Sequence, residues 1–302
     1  MELLRATLRL TSPLGSELIG PTLFGRLCWL VLEGEGQPAL ERFLDPGRMW
    51  RLSDAFPHGL LPRPLVRPRP LGDRDPTDLK EIKKRPFVRR EAWLARRREW
   101  DERALDRDRD LAKAPSLPMR RAHNVVDRRG RGTLETGGLF FLGEDWRFAR
   151  EETARLDLYV ETDDAPAIVE RRLSDLGAEG FGRDASTGRG RWTVEAVAPD
   201  PELARGPADG RRMSVSRGAL DPSSMREALW KLVPHFGKAG PQVTGAGASP
   251  FKRPTLLTMP GLTFRPDGAG PWGRWIDGIH PERREIGLNA FHVTIPFAEA
   301  PI

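Results

Sequence analysis

The chain has 302 residues, 38% of them hydrophobic, with one Cys, five His and a net charge of +6. This length fits two domains or one large one. A single Cys excludes an intrachain disulfide, and one Cys with scattered His lacks the ligand spacing of a zinc site. We therefore predict no metal or cofactor and a reducing, cytoplasmic environment. The N-terminus does not read as a secretion signal, and no apolar run of about 18 residues predicts a membrane span.

The positive charge is concentrated in one segment. Residues 62–121 contain 19 Lys or Arg and 11 Asp or Glu, a net +8, so the rest of the chain carries −2. Of the 49 basic residues 42 are Arg, whose planar side chain pairs with phosphate and stacks on bases. A GC-rich genome also raises the Arg content, so the bias alone does not decide. The uneven placement favours a local contact with a polyanion.

The N-terminal half opens with a strand and then a helix. Residues 4–10 alternate apolar and polar side chains, which predicts a half-buried strand. From Pro21 the apolar residues recur at helical spacing until Gly34 ends the pattern. Cys28 lies on the apolar face of this helix, so we interpret it as a core residue rather than a nucleophile.

A basic excursion then interrupts the half at about 62–121. The dense prolines of residues 57–70 predict an extended connector. The charged stretch 91–113 permits a helix, which we interpret either as a solvated surface helix or as an RNA-facing excursion.

An arginine-rich segment follows at residues 120–132. Arginine contacts phosphates, and His and Asn side chains hydrogen-bond to base edges or 2′-OH groups. The candidate RNA-binding residues here are Arg120, Arg121, His123, Asn124, Asp127, Arg128 and Arg129. An alternative role for His123 is general base in RNA cleavage, although no sequence feature marks a partner acid.

The second half repeats the order of the first. Residues 156–160 alternate as a strand, residues 165–176 carry a helical apolar stripe, and residues 192–196 alternate again. This β-then-α opening of both halves predicts an α+β fold of two tandem ferredoxin-like (RRM-like) domains. We place the domains at 1–150 and 151–302.

A glycine-rich loop lies between the second helix and its following strand. Its letters match the dinucleotide fingerprint G-x-G-x-x-A, but that motif needs a strand before it and a helix after it. Here the order is reversed, which disfavours a dinucleotide-binding enzyme. Glycines let a backbone approach a ligand closely, and free N–H groups with nearby Arg would face phosphates. The candidate RNA-binding residues of the loop are Gly180, Phe181, Gly182, Arg183, Ser186, Thr187, Gly188, Arg189, Gly190 and Arg191.

The C-terminal part is predicted to be β-rich and loop-rich. Residues 213–215 indicate a strand, residues 226–236 a short helix, and residues 291–297 a last strand with His292 on its solvent face. A long Gly/Pro loop before the final strands carries Lys252 and Arg253, which complete the candidate RNA-binding set.

Seven segments follow one another along the chain: Gly20 to Gly25, Leu61 to Leu65, Lys80 to Lys84, His123 to Arg128, Gly137 to Phe140, the loop at 180–190, and His280 to Leu288. In this order they resemble the RAMP proteins of CRISPR systems. More narrowly, they are similar to the Csm-complex subunit four family, the Cas-five-like subunit of type III-A effectors. Two substitutions depart from the family pattern: Val126 stands in place of Ile, and Arg129-Gly130 stands in place of Thr-Gly.

The resemblance implies a non-catalytic crRNA-binding subunit in antiviral defence. Such subunits hold the repeat-derived 5′ tag of the guide and join the large polymerase-like subunit to the backbone of RAMP subunits, one copy per complex. Two alternatives remain open: a RAMP endoribonuclease that processes precursor crRNA with His123 as base, and a backbone RAMP subunit. The family pattern does not place residues 91–113, which would be a thumb-like projection or an insertion.

Overall fold

The computed structural model describes residues 1–68, 76–127, 130, 132, 134, 138–207, 210–240, 243, 245 and 247–301. The helices are α1 (Gly20–Glu35), α2 (Gln37–Phe43), α3 (Pro76–Lys83), α4 (Arg90–Arg96), α5 (Pro166–Glu179) and α6 (Pro201–Ala204). The strands up to the middle of the chain are β1 (Glu2–Leu10), β2 (Arg51–Leu52), β3 (Phe56–Pro57), β4 (Leu60–Pro62), β5 (Phe87–Arg89), β6 (Leu111–Ala112), β7 (Pro118–Asn124), β8 (Leu139–Asp145) and β9 (Arg155–Thr162). The remaining strands are β10 (Trp192–Pro199), β11 (Arg211–Ser214), β12 (Met225–Leu229), β13 (Leu232–His235), β14 (Thr255–Thr258), β15 (Thr263–Pro266), β16 (Gly273–Ile276), β17 (Leu288–Phe291) and β18 (Thr294–Phe297).

The first sheet has the strand order of a ferredoxin-like unit. Its order is β10-β1-β9-β2, and every pair is antiparallel. The two central strands, β1 and β9, are therefore the first and the third of the four in chain order. Helices α1 and α5 cover one face, where Leu8, Leu27 and Leu173 are buried together. The alternation predicted for residues 4–10 and 156–160 therefore gives two adjacent, core-facing strands. Cys28 packs against this core, and burial raises the pKa of its thiol to about 12, as expected of a packing residue.

This topology corrects the domain boundary that the sequence suggested. A boundary at residue 150 would divide one sheet, because β1 pairs with both β9 and β10. The strand order instead ends the first unit at Pro199, with residues 58–150 inserted between its second and third strands. The repeated β-then-α pattern was thus the two halves of one ferredoxin-like unit.

The inserted segment is packed rather than solvated. Strands β4, β5 and β6 form a small sheet, and helix α4 ends at Arg96 instead of continuing to residue 113. Trp93 and Trp100 are buried, with ring centroids 5.0 Å apart, against the second face of the first sheet. Burying two tryptophans outweighs the helical preference of the charged residues between them. Among the described residues of the inserted segment, the part that stands out from the core is the exposed β7–β8 hairpin.

The second unit also has the ferredoxin strand order. Its sheet has the order β12-β15-β11-β18. Starting from β18, these are the fourth, first, third and second strands of the unit, as in the first sheet. The helix expected at 226–236 is wrong: β12 and β13 occupy it, because β12 pairs with β15 and Glu227 takes a φ of 48°. His292 is not a surface residue either, since it is buried between Ser214 and the Ala219 carbonyl. The two sheets share a core that includes Tyr159 of β9 and Ile295 of β18.

No helix in the described ranges is long and apolar enough to cross a membrane. The same ranges contain no group of three His, Cys, Asp or Glu side chains placed to hold a metal ion.

Candidate nucleic-acid interface

The β7–β8 hairpin brings four of the predicted RNA-binding residues onto one exposed ribbon. Seven residue pairs join its strands, and nearly all of its side chains are accessible. The side chains of Arg120 and Arg121 are exposed and, among the described residues, make no ion pair. Their charge is therefore available to a ligand. His123 and Asn124 lie further along the same strand.

Aromatic rings accompany these polar residues. The His123 ring stacks on Phe140 opposite it, with centroids 5.3 Å apart and planes 17° apart. The Arg120 guanidinium lies 5.2 Å from the centroid of Phe141. Phe141 is 52% exposed, an unusual state for a phenylalanine of a monomer. Cations beside exposed rings form the type of platform on which single-stranded bases stack.

The tip of the hairpin is only partly described. Asp127 accepts a hydrogen bond from the Gly130 N–H through its Oδ2, at 3.1 Å, so this side chain organises the tip turn. Arg128 and Arg129 lie outside the described residues. The Nε2 atom of His123 is buried and has no hydrogen-bond partner in the described part of the chain.

The glycine-rich loop is closed on itself and on the N-terminal segment. The Phe181 N–H donates to the Gly190 carbonyl at 2.9 Å, and the Gly190 N–H donates to the Pro13 carbonyl at 2.8 Å. A Cβ at Gly190 would lie 2.1 Å from the Phe181 carbonyl oxygen, and its φ is 67°. Glycine is required here by the packing of the loop itself. Phe181 is buried beside Trp192, so the prediction that it contacts RNA is wrong.

Most of the loop N–H groups are already used within the protein. Two of them donate to serine side chains, from Arg183 to Ser16 at 3.0 Å and from Arg191 to Ser12 at 2.8 Å. The expected row of free N–H groups facing phosphates is therefore absent over most of the loop. The other internal donors in it are the N–H groups of Gly180, Phe181, Ala185, Thr187, Gly188, Arg189 and Gly190.

The loop arginines do not behave alike. Arg189 donates its Nε–H to Glu144 Oε1 at 2.8 Å, in a pair whose carboxylate is 1% exposed. Burial raises the pKa of Glu144, but hydrogen bonds from Arg189 and Trp146 outweigh it and hold this pKa below its ordinary value. Arg183 donates to the Gly143 carbonyl. Arg189 is thus committed to the protein, and both residues fasten the loop to the base of the hairpin on β8.

Five loop residues remain on the surface: Gly182, Arg183, Ser186, Thr187 and Arg191. Ser186 and Arg191 are exposed, and the Arg191 side chain has no ion-pair partner among the described residues. Thr187 is exposed as well, although its hydroxyl donates to the Asp184 carbonyl at 2.9 Å. Gly182 is exposed and Gly188 half-buried, while Gly180 is buried. The accessible part of the loop is therefore narrower than the sequence suggested.

A groove of about 590 Å³ connects the hairpin to the second unit. Its lining includes Met119 and Arg120 of the hairpin, Ser16 and Glu17 of the first unit, and Arg217 and Met259 of the second. The floor contains Asp54, which accepts hydrogen bonds from the N–H groups of Gly20 and Arg217. Burial raises the pKa of Asp54 to about 6 against the pull of the Arg217 cation.

Lys252 and Arg253 lie apart from the loop and the hairpin. The Arg253 N–H donates to the Ile279 carbonyl, and the Lys252 N–H donates to the Gly237 carbonyl, both within the second unit. Burial lowers the pKa of Lys252, and Cys28 of α1 opposes that shift. The structure therefore divides the predicted residues between two regions. Sequence reasoning missed the exposed Phe141 and the pairing role of Glu144, since neither has a motif of its own.

No family model and no curated protein matches this sequence. Solved structures match it along almost its whole length. The chain is 20% identical to a chain in the crystal structure of a Csm1–Csm4 cassette in complex with AMPPNP, with a TM-score of 0.63 and coverage of 100% of both chains. It is 19% identical to a chain in the same cassette bound to pppApA, with a TM-score of 0.62 and coverage of 100% and 99%.

A further match comes from a different assembly. The chain is 14% identical to a chain in the crystal structure of a Csm3–Csm4 subcomplex of a type III-A CRISPR-Cas interference complex, with a TM-score of 0.57 and coverage of 98% and 99%. Csm4 is the component that the two assemblies have in common. At these identities the similarity establishes the fold.

Proposed function

We propose that this chain, which has the Csm4-like RAMP fold, is a non-catalytic crRNA-binding subunit of a type III-A CRISPR effector complex. It holds the repeat-derived 5′ tag of the guide RNA. It also bridges the large polymerase-like subunit and the backbone RAMP subunits in antiviral defence, in the cytoplasm and in one copy per complex.

The β7–β8 hairpin is the observation that carries the RNA-binding role. Arg120 and Arg121 are exposed without ion-pair partners in the described part of the chain, and exposed Phe141 lies beside Arg120. In a protein with many paired arginines, free cations next to exposed rings are what single-stranded RNA requires. The hairpin supplies phosphate contacts and stacking surfaces together. The exposed Arg191, Ser186 and Thr187 of the neighbouring loop continue this surface.

The bridging role is supported by the fold and by the assemblies in which similar chains are found. The similar chains come from assemblies with two different partners, and this chain covers nearly their full length. The groove between the two ferredoxin-like units and the hairpin gives the RNA a path at the junction of the units. We accordingly place the 5′ tag along the hairpin and this groove.

The His123 geometry supports binding more than cleavage. Its ring stacks on Phe140, and no carboxylate or lysine of the described residues forms a hydrogen bond with it. General acid–base cleavage needs a second group within hydrogen-bond reach of the reacting atoms. We therefore assign His123 to stacking or base recognition.

The test is to purify the native complex through a tag on this chain, sequence its RNA and identify its proteins by mass. Guides that share one repeat-derived 5′ tag, with one copy of this chain beside a large polymerase-like subunit, would support the proposal. Several copies per guide would indicate a backbone subunit. Repeat RNA cut by the isolated chain, with activity lost in His123→Ala, would identify a processing nuclease instead.

A variant pair links that result to the hairpin. We expect Phe140→Ala combined with Phe141→Ala to weaken tag RNA binding by roughly tenfold for each base that loses its stacking partner. Leu139→Ala, on the same exposed strand, is the matched control and should bind as the unaltered chain does. Equal binding by all three proteins would remove the hairpin from the interface.

A further inference from the structure

The second unit contains the longest stretch of the chain without a carboxylate. Residues 228–266 include five Lys or Arg and no Asp or Glu, in a chain with 43 acidic residues. At the average density of the chain, this length would contain five or six acids. Three of the seven lysines, Lys231, Lys238 and Lys252, fall here. An acid-free, cationic segment of this length indicates a surface that meets negative charge.

The stretch folds into an extended hairpin with one outward face. Strands β13 and β14 pair from Leu232 to Thr258, and the pairing continues to a bridge between Lys238 and Phe251. Residues 232, 234, 236 and 238 are exposed, and the residues between them are half-buried. Alternate side chains of a strand point to the same face, so the exposed ones form a single row.

Two exposed aromatic rings belong to this face, and one of them lies beside Lys238. Phe236 is 71% exposed and Phe251 is 60% exposed, the first value being the highest of any large apolar side chain described. The Lys238 Nζ lies 5.6 Å from the centroid of Phe251. Among the described residues, Lys231, Lys238, Lys252 and Arg253 form no ion pair. Ring and cation are therefore both available to the same ligand.

Positive groups also converge behind the hairpin around Lys252, which forms no ion pair among the described residues. Burial, then Lys252 and Arg217, lower the pKa of His235 to about 4. Burial lowers the pKa of Lys252 too, and the group that opposes this shift is the Cys28 thiol of α1. Arg172 of α5 faces the same thiol, and Arg217 itself pairs with Glu17 and Asp54. Crowded cations of this kind are relieved when an anion binds.

We propose that the outward face of the β13–β14 hairpin, formed by Phe236, Phe251, Lys238 and Arg253, is a second binding surface for single-stranded RNA. The rings stack bases, and the cations neutralise phosphates. Met259, which follows β14, lines the same groove as Met119 and Arg120 of the β7–β8 hairpin. The inference rests on the proposed function, because an RNA that leaves this groove past Met259 would continue onto the β13–β14 hairpin.

The apolar residues of the face also suit a protein subunit, and the charges decide between the two. A docking surface for protein needs aliphatic contact area, which Leu232 and Leu256 supply, but it does not need a 39-residue exclusion of carboxylates. A polyanion does need that exclusion. RNA is therefore the occupant, and protein docking is the competing outcome of the test.

The experiment measures binding of a fluorescein-labelled 20-nucleotide single-stranded RNA of mixed sequence to the full chain, by anisotropy over a series of salt concentrations. We expect Phe236→Ala with Phe251→Ala to weaken binding by roughly tenfold or more. Lys238→Gln with Arg253→Gln should lower the slope of log affinity against log salt by about 1.4, at about 0.7 for each phosphate contact on a single strand. Leu232→Ala with Leu256→Ala is the matched control, and it should change neither quantity.

Thermal melting of each variant separates lost contacts from lost folding. Because both rings are highly exposed, we expect the melting temperature of the aromatic variant to be unchanged. Unchanged RNA binding in the aromatic and charge variants, with weaker binding in Phe140→Ala combined with Phe141→Ala, would overturn this inference and leave the proposed function standing. If the unaltered chain does not bind the RNA, both fail. Capture of a partner subunit that is lost equally in the aromatic and aliphatic variants, with RNA binding intact, would identify a protein-docking face and also overturn the inference.

Discussion

The glycine-rich loop and the β7–β8 hairpin are adjacent and both rich in arginine, yet they use arginine in opposite ways. In the loop, Arg189 pairs with the buried Glu144 and Arg183 donates to the Gly143 carbonyl. On the hairpin, Arg120 and Arg121 are exposed and unpaired within the described residues. The loop arginines hold the hairpin in position, and the hairpin arginines are left for a ligand. Local charge count therefore does not report available charge; the position of the nearest carboxylate does.

The largest effect that this comparison predicts is on folding. In Gly190→Ala the new Cβ would meet the Phe181 carbonyl oxygen, at a φ of 67° that alanine also disfavours. We expect the free energy of unfolding to fall by about 3 kcal/mol or more, since neither atom can move without shifting backbone. Urea denaturation measures this change.

Gly188→Ala is the matched control for that substitution. Gly188 has a φ of 87°, but no atom lies within 4 Å of its would-be Cβ. Only the conformational cost remains, about 1 kcal/mol. Equal destabilisation by both variants would show that the loop does not pack as described.

The second effect concerns the buried pair. Glu144→Ala leaves Arg189 buried without its carboxylate, and we expect a loss of about 3 kcal/mol in the free energy of unfolding. Arg26→Ala, which removes a more exposed pair with Glu179, should cost well under 1 kcal/mol. A small loss in Glu144→Ala would mean that Arg189 is free to bind phosphate after all.

The same pair has a pH signature. The pKa of Glu144 in the folded protein is lower than its ordinary value of 4.5. A carboxyl group of this kind contributes stability above its unfolded pKa, and that contribution is lost as the pH falls through the folded pKa. Below about pH 4.5 the unaltered protein should therefore lose part of its advantage over Glu144→Ala in urea denaturation. A constant difference from pH 7 to pH 3 would contradict the assignment.

The strands and helices that depend on the pattern of neighbouring residues could be predicted from the sequence. The alternation of residues 4–10 and 156–160, and the apolar stripes of α1 and α5, follow from local periodicity, and each element forms where expected. Which strands pair is decided by contacts between distant residues. Leu8 faces Leu156 on one side and Val194 on the other, and no local pattern indicates that register. The boundary at residue 150 failed for this reason.

Tertiary packing also overrode local signals at two other places. Residues 91–113 look solvated because they are charged, yet Trp93 and Trp100 draw the segment into the core. The glycines of the loop were expected to let the backbone approach a ligand, but at Gly190 the group that lies close is the protein's own backbone. In both cases a residue's partner lies far away in sequence. The candidate RNA-binding residues of β7 alternate along the strand, so Arg120 and Asn124 lie on one face of the hairpin and Arg121 and His123 on the other.

The third prediction concerns RNA binding by the hairpin. Arg120→Ala with Arg121→Ala should lower the slope of log affinity against log salt by about 1.4, at about 0.7 for each phosphate contact on single-stranded RNA. Thermal stability should not change, because neither side chain has an ion-pair partner in the described ranges. Arg42→Ala with Arg48→Ala, two exposed arginines beside α2, is the charge-matched control. If the control reduces the slope equally, RNA responds to net charge and not to this hairpin.

The smallest predicted effect concerns Arg191, a loop arginine whose side chain is exposed like those of the hairpin. The Arg191 side chain forms no ion pair within the described residues. The hydrogen bonds of this residue are those of its backbone: its N–H donates to the Ser12 hydroxyl, and its carbonyl accepts from the Thr11 N–H. We expect Arg191→Ala to lower the salt slope by about 0.7 and to leave melting unchanged. Arg189→Ala should do the reverse, destabilising the protein with no change of slope, because its guanidinium is held by Glu144. If both variants reduce the slope, the loop faces the RNA with all of its arginines. If neither variant reduces the slope, the phosphate contacts are confined to the hairpin, and the loop serves only to support it.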